Sequence, residues 1–183
     1  TKPIRGIKDF KDWKFRSPPG LETKIFANLG AKPIVMDFTE IFTALESGII
    51  DGADASGLAN NVGLGLYDIA KHTNYPGFHS MPSDHLACNK GVYDKMSKSH
   101  QRILNTAMEA LALRTALTFE RKNTEAAAML RAKGVKLYNW SDEDRATFRA
   151  AALKAWPEFA STPEAKALVA SHTKYLRELG LVK

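Results

Sequence analysis

Short β-rich runs alternate with stretches of helical periodicity over the first third of the chain. Apolar side chains between residues 21 and 29 recur at helical spacing, at Leu21, Ile25, Phe26 and Leu29. The predicted elements are a strand at 13–17, a helix at 21–29, a strand at 32–36, a helix at 40–47 capped by Thr39, and a short strand at 49–50 followed by a turn at 51–52. Strands that alternate with helices at this spacing indicate βαβ units and therefore a parallel sheet.

The second half of the chain is predicted to be mostly helical. A helix at 101–132, capped by Ser97 or Ser99, carries an apolar stripe of period 3.6 that includes Ile103 and Leu111. At 1.5 Å per residue this helix would be about 48 Å long. That length is too great for one small domain and suggests a brace across two. A short strand at 135–140 and helices at 142–159 and 163–179 complete the prediction.

Charge and composition exclude several classes of protein. The 183 residues include 26 basic and 20 acidic side chains, for a formal charge of +6. The basic residues are interleaved with acidic ones and form no block of five, so we expect no nucleic-acid partner. No apolar run approaches the roughly 20 residues of a membrane helix. Because the chain begins TKPIRG without Met, we expect a processed product or a fragment.

The single cysteine, Cys88, excludes an internal disulfide and a zinc cluster built from cysteines. It lies in the apolar run HLACNKGVYD. A free cysteine in such a run is typically a buried, inert thiol, and that is the expectation here.

The candidate chemistry lies where two predicted strands end. Arg16 ends the first strand, and the segment DGADAS at 51–56 follows the third. Ligand pockets of open α/β sheets form at the carboxyl ends of strands. A guanidinium there can hold a carboxylate through two parallel hydrogen bonds. The alternative from the residues alone is a surface arginine paired with Asp54 in a turn.

Several motifs in order carry a resemblance to a known family. They are KFR at 14–16, LGAKPIV at 29–35, FTEIFTALESG at 38–48 and DGADAS at 51–56. In this order they resemble the substrate-binding proteins of TRAP (tripartite ATP-independent periplasmic) transporters. The resemblance implies an α/β, periplasmic-binding-protein-like type II lobe with a mainly parallel sheet and a long bracing helix.

The resemblance covers only about the second half of such a two-lobed protein. It implies that residues 1–80 and 121–183 form the second ligand-binding lobe. Residues 81–120 would be a crossing segment and part of the long helix, belonging partly to the first lobe.

The resemblance implies a periplasmic protein that captures an organic carboxylate and delivers it to TRAP membrane permease subunits. A monocarboxylate, such as a 2-oxo, 2-hydroxy or aromatic acid, is favoured. Two alternatives stay open: a truncated, non-binding fragment that forms a swapped homodimer, and a cytosolic α/β enzyme. No Gly-X-Ser-X-Gly elbow, phosphate-cradling loop or His-X-X-X-His motif occurs, so we expect no catalysis.

Carried over residue by residue, the resemblance assigns ligand contacts to three separate segments. Arg16 would clamp the ligand carboxylate. Phe38 would pack on the ligand, although a core position is an alternative for it. His79 would be a polar contact from the strand that returns to the first lobe.

The remaining assigned contacts are consecutive: Asp54, Ala55 and Ser56. Family members place Asn, or an acidic residue followed by Trp, at the first two of these positions. The small Ala55 leaves room for a bulkier ligand. No organic cofactor is expected, but the Asp54 carboxylate could bind a Na⁺ or Ca²⁺ ion that bridges protein and ligand.

Overall fold

The computed structural model describes residues 1–77 and 87–182. A 3₁₀ turn at Ile7–Phe10 precedes the first strand, and another at Phe38–Glu40 precedes the second helix. The elements are β1 (Lys14–Ser17), α1 (Leu21–Asn28), β2 (Lys32–Val35), α2 (Ile41–Glu46), β3 (Gly52–Ala53), α3 (Leu58–Gly63), α4 (Leu66–Ile69), β4 (His72–Asn74), α5 (Lys90–Lys95), α6 (Lys98–Ala132), β5 (Lys136–Tyr138), α7 (Asp142–Phe159) and α8 (Pro163–Glu178).

Both sheets in the described part of the chain are parallel, as the alternating pattern predicts. The first has the order β2–β1–β3, so the strand that carries Arg16 is central. In its register Arg16 lies beside Ile34 on one side and Ala53 on the other. The second sheet pairs β4 with β5. The carboxyl ends of β1 and β3 therefore meet at one edge of the first sheet.

An aromatic core fixes the central strand. The ring planes of Trp13 and Phe15 are nearly parallel, with centroids 4.4 Å apart, and Phe15 packs on Phe26 of α1 at 4.5 Å. Helix α7 covers this cluster with Phe148. Its fully buried or nearly buried aromatic members are Phe10, Trp13, Phe15, Phe26, Trp140 and Phe148. Burial of side chains of this size on both flanks of β1 holds Arg16 in place.

The predicted start of α2 is wrong by one residue, and its cap is a different side chain. Asp37, not Thr39, is the capping residue: its carboxylate accepts from the Thr39 N–H at 2.9 Å and the Thr39 hydroxyl at 2.6 Å. The Asp37 N–H donates to the Glu40 carboxylate at 3.2 Å, which completes a capping box. Residues 38–40 form the 3₁₀ turn, so α2 proper begins at Ile41.

Two expectations for the region around Cys88 are corrected. Cys88 is exposed rather than buried. Helix α5 was not expected; Asn89 caps it by accepting from the Val92 N–H at 3.2 Å. The polar cap turns the chain into a helix directly after the cysteine, which leaves the thiol outside the core clusters.

Helix α6 is longer than predicted and is buried at one end. Ser97 caps it, and it spans 35 residues, about 52 Å. Its C-terminal turns pack on α3 and β5, whereas Ile103 and Leu111 of the predicted apolar stripe are exposed. Among the described residues no element covers the middle of the helix. None of the described helices is both long and apolar enough to span a bilayer.

Candidate functional site

A cleft of about 850 Å³ opens at the carboxyl ends of β1 and β3. Five of the six sequence-predicted contacts line it together: Arg16, Phe38, Asp54, Ala55 and Ser56. The sixth, His79, lies outside the described residues. The five residues come from three separate segments of the chain, and the parallel sheet brings them to one place.

Arg16 is nearly buried, with 7% of its surface exposed. Its Nη1 donates to the carbonyl of Asp54 at 2.6 Å, and its Nε donates to the carbonyl of Met36 at 3.3 Å. Nη2 makes no hydrogen bond to any residue in 1–77 or 87–182. Two main-chain carbonyls therefore hold the guanidinium at Nε and Nη1, while Nη2, which has no acceptor among the described residues, can donate to a ligand.

The contact between Arg16 and Asp54 runs through the main chain. The Asp54 N–H donates to the Arg16 carbonyl at 2.9 Å, which extends the β1–β3 pairing by one residue. Within the described ranges, Arg16 has no ion pair with a carboxylate. The alternative of a turn Asp54 in an ion pair with Arg16 is therefore not what these residues form.

Phe38 lies at the rim of the cleft and not in the core. Its ring faces the Arg16 guanidinium at 5.6 Å from ring centroid to Cζ, and 38% of its surface is exposed. Hydrogen bonds from the side chain and N–H of Thr39 hold the pKa of Asp37 below its ordinary value. The anchored Asp37 fixes the turn that presents Phe38 to the cleft.

Residues 54–57, which we call the binding loop, are tied to α3. Asn60 Nδ2 donates to Ser56 Oγ at 2.9 Å, and Asn61 Nδ2 donates to the Ser56 carbonyl at 2.7 Å. The sequence contained a signal for these contacts, since two consecutive asparagines follow DGADAS after only three intervening residues. Sequence reasoning nevertheless missed both residues.

A third asparagine reaches α3 from the long helix. Asn123 Oδ1 accepts a hydrogen bond from the Ala59 N–H at 3.0 Å, and Asn123 also lines the cleft. No local signal could have found it, because the two residues are 64 positions apart.

Two further polar groups beside the cleft were also missed as lining residues. The Trp13 Nε1 is buried and has no hydrogen-bond partner within the described ranges, and its ring packs so closely on Gly52 that a β-carbon there would collide. His72 Nδ1 lies 2.8 Å from the Tyr138 hydroxyl. Burial, followed by nearby positive charges including those of Arg5 and Lys136, lowers the pKa of His72.

Oxygen ligands for a metal ion are sparse in this part of the protein. The described residues contain no group of three or more His, Cys, Asp or Glu side chains that could hold an ion. Asp54 would be the one carboxylate among the five contacts, so a bridging ion would take most of its ligands from the bound solute and main chain. The Na⁺ or Ca²⁺ site at Asp54 stays a prediction.

Comparison with known proteins gives one consistent result. Residues 1–162 match the bacterial extracellular solute-binding protein family 7 (DctP). The chain is 32% identical over 143 residues to a monocarboxylate 2-oxoacid-binding periplasmic protein of Nostoc sp.. It is 35% identical, with a TM-score of 0.80, to a TRAP periplasmic solute-binding protein of Rhodobacter sphaeroides in an apo open structure. A further relative, from Desulfovibrio desulfuricans with bound sn-glycerol-3-phosphate, has 26% identity and a TM-score of 0.78.

These alignments cover most of this chain but only part of each relative. They span 78%, 98% and 95% of this chain, and 39%, 58% and 56% of the Nostoc, Rhodobacter and Desulfovibrio proteins. The chain thus corresponds to about half the length of the proteins it matches. The α/β lobe predicted from the sequence is confirmed, and the relatives' periplasmic location agrees with the predicted one.

Proposed function

Because the chain belongs to the bacterial extracellular solute-binding proteins of family 7, the TRAP substrate-binding proteins, we propose that it captures an organic carboxylate in the periplasm. The observation that carries this proposal is the nearly buried Arg16 at the carboxyl end of the central strand, held by two backbone carbonyls and facing an open cleft. Members of this family are solute-binding proteins, which supports capture over catalysis.

The hydrogen bonds of Arg16 limit how an anion can approach. Nε is engaged with Met36 and one N–H of Nη1 with Asp54. A carboxylate can therefore bind end-on to Nη2 and the second N–H of Nη1, as a bidentate pair. The ring of Phe38 lies against the guanidinium and adds a cation–π contact.

The size of the lining side chains supports a monocarboxylate. Arg16 is the one cation among the five predicted contacts, and Ala55 leaves room beside it. A 2-oxo, 2-hydroxy or aromatic acid fits one guanidinium and an adjacent small residue. The Nostoc relative is named for binding monocarboxylate 2-oxoacids, and the Desulfovibrio relative holds a phosphate ester, so both anion types belong in the test.

The test is a ligand screen followed by calorimetry. Pyruvate, lactate, benzoate, succinate and sn-glycerol 3-phosphate are each added to the protein, and the shift in melting temperature is measured. We expect a monocarboxylate to give the largest shift, because a ligand that binds only the folded state stabilises it. A shift with succinate or the phosphate ester alone would contradict the monocarboxylate, and no shift with any compound would contradict anion capture by this chain.

The residue test is Arg16→Ala with the ligand found in the screen. Loss of one partner of a desolvated charge pair costs about 2–5 kcal/mol, which corresponds to a dissociation constant about thirtyfold higher or more. Arg16→Lys keeps the positive charge but cannot form bidentate hydrogen bonds with a carboxylate, so this variant should also bind the ligand poorly. Arg121→Ala, which removes an exposed arginine paired with Glu125 on α6, is the matched control and should bind normally.

The proposed metal and permease partners each have a separate test. If a Ca²⁺ ion bridges Asp54 and the solute, its removal by a chelator should raise the dissociation constant of the solute. If the bridging ion is Na⁺, replacement of Na⁺ by K⁺ in the buffer should have the same effect. If the protein delivers the solute to TRAP permease subunits, membrane vesicles containing them should take up labelled ligand only when the binding protein is added. An unchanged affinity for the solute would contradict the bridging ion, and uptake that does not depend on the binding protein would contradict delivery to the permease.

A second candidate role follows from the uncovered middle of α6. Ile103, Leu113 and Leu117 are each more than half exposed. We propose that, in the chain of 183 residues, a second copy covers this face, because exchange of an identical element needs no new interface. Light scattering should then show a dimer that Leu113→Lys with Leu117→Lys converts to monomer. A monomeric wild-type chain would contradict this role.

A further inference from the structure

A side chain of the long helix caps α3, the helix that directly follows the binding loop, and the glycine at residue 57 makes this possible. Gly57 precedes α3 and has no side chain to cap it. Asn123 supplies the missing acceptor from α6, with its Oδ1 3.0 Å from the Ala59 nitrogen. A β-carbon on Gly57 would lie 3.3 Å from that same oxygen, which is tighter than an ordinary contact. The close approach of α6 thus takes the place of a local cap.

The same contact connects the two ends of the site. Arg16 binds the Asp54 carbonyl at one end of the loop, and Asn61 binds the Ser56 carbonyl at the other. Asn61 belongs to α3, whose first turn Asn123 holds. Hydrogen bonds at the two ends of the loop, joined by the main chain of residues 54–61, therefore link the guanidinium to α3 and α6.

Helix α6 is suited to pass a change of position to this loop. Its buried residues Ala126, Ala127 and Leu130 pack it against α3. From this packed end the helix extends more than 20 residues toward its N-terminus. A rigid helix carries a movement of its far end to its packed end as a rotation, which displaces the side chains that lie there. Any such displacement reaches the first turn of α3 through Asn123.

We propose that Asn123 is a positioning residue for the ligand site, and that it couples the orientation of α6 to the geometry of the binding loop. The inference rests on the proposed function: ligand held by Arg16 and the loop favours one orientation of α6, and that orientation favours ligand. Differential binding to two arrangements of one element is what such coupling requires.

The experiment separates coupling from simple capping. Asn123→Ala removes the hydrogen bond and should raise the dissociation constant of the ligand from the screen about fivefold to tenfold. The double variant Gly57→Ser with Asn123→Ala gives α3 a cap of its own, since serine is a favoured N-cap residue. It should recover the melting temperature but not the affinity. Thr124→Ala, on the next and exposed position of α6, is the control and should change neither.

Restoration of wild-type affinity in the double variant would overturn the inference, because a cap alone would then suffice. Wild-type affinity in Asn123→Ala would overturn it as well.

A ligand-free measurement keeps this test distinct from that of the proposed function. Hydrogen exchange at the hydrogen-bonded amides of Asp54 and Ala59 should speed up in Asn123→Ala, stay fast at Asp54 in the double variant, and remain slow in Asn123→Asp, which keeps an acceptor oxygen. If no anion binds the wild type, the proposed function fails while this readout still decides whether α6 holds the loop. Slow exchange at the Asp54 amide in Asn123→Ala or in the double variant would overturn the inference that α6 holds the binding loop through Asn123.

Discussion

The C-terminal turns of α6 and its middle are parts of one helix with opposite environments. Leu130 is 1% exposed and belongs to a core cluster with Leu58, Tyr67 and Val135. Leu117, thirteen residues earlier, is 59% exposed. Both are leucines in the same continuous backbone, so neither helix propensity nor residue type distinguishes them.

The difference shows that an apolar stripe predicts a buried face only where a partner is present. Near Leu130 the partners are α3 and β5, which pack on α6. Around Leu117 no described element offers such a surface. The two regions should therefore contribute very differently to the stability of this chain.

The largest expected effect comes from truncation of the two leucines. Leu130→Ala should lower the free energy of unfolding by about 2–5 kcal/mol, because it removes a buried side chain and leaves a cavity. At a protein concentration low enough to keep the chain monomeric, Leu117→Ala should change it by about 0.5 kcal/mol or less, as surface substitutions usually do. Urea denaturation followed by circular dichroism measures both. Comparable losses for both variants would mean that the middle of α6 is covered in solution.

A smaller effect is expected from removal of two helix caps, one beside the buried core and one at the far end of α6. Ser141 Oγ accepts from the Asp144 N–H at 3.1 Å and starts α7, which packs into the aromatic core. Ser141→Ala should cost about 1 kcal/mol of stability. Ser97 Oγ accepts from the His100 N–H at 3.2 Å at the far end of α6. Ser97→Ala should cost about half of that or less, because this turn can fray without opening the core.

The same denaturation curves decide the comparison of the caps. An equal loss in the two variants would show that the first turn of α6 unfolds together with the core. That result would bring the far end of α6 into the same cooperative unit as α7.

The smallest expected effect is a pH dependence of the free energy of unfolding that arises from His72 in the second sheet. The pKa of His72 is lowered by burial and nearby positive charges, so the folded state binds its proton less readily than the unfolded chain. Its stabilising contribution is complete above the unfolded pKa of about 6.5 and is lost as pH falls through the folded value. Between pH 8 and pH 5 the wild type should lose more stability than His72→Gln.

A control for the pH prediction is available on the outer surface. His172 lies on the exposed side of α8, 3.0 Å from the Leu168 carbonyl. His172→Gln should show the pH profile of the wild type. If it and His72→Gln flatten the profile equally, His72 has no special part in acid sensitivity.

Much of the fold and part of the site could be predicted because their signals are local. Alternation of β-rich and helical runs predicted that the strands of the first sheet are parallel. The position of Arg16 at a strand end predicted its place in the cleft. The cap of α2 was missed because Asp37 and Thr39 are both good capping residues, and only the backbone geometry selects between them. Cys88 was misjudged because the cap at Asn89 ends the apolar run.

The sequence by itself determined most of the segments that become strands and helices, and where Arg16, Phe38 and residues 54–56 occur relative to them. These features follow from periodicity and capping within a few residues. The tertiary structure decided which carbonyls hold the guanidinium, which part of α6 is buried, and that Asn123 caps a helix 64 residues before it. Such contacts depend on distances between elements far apart in the chain, and no local pattern of residues encodes those distances.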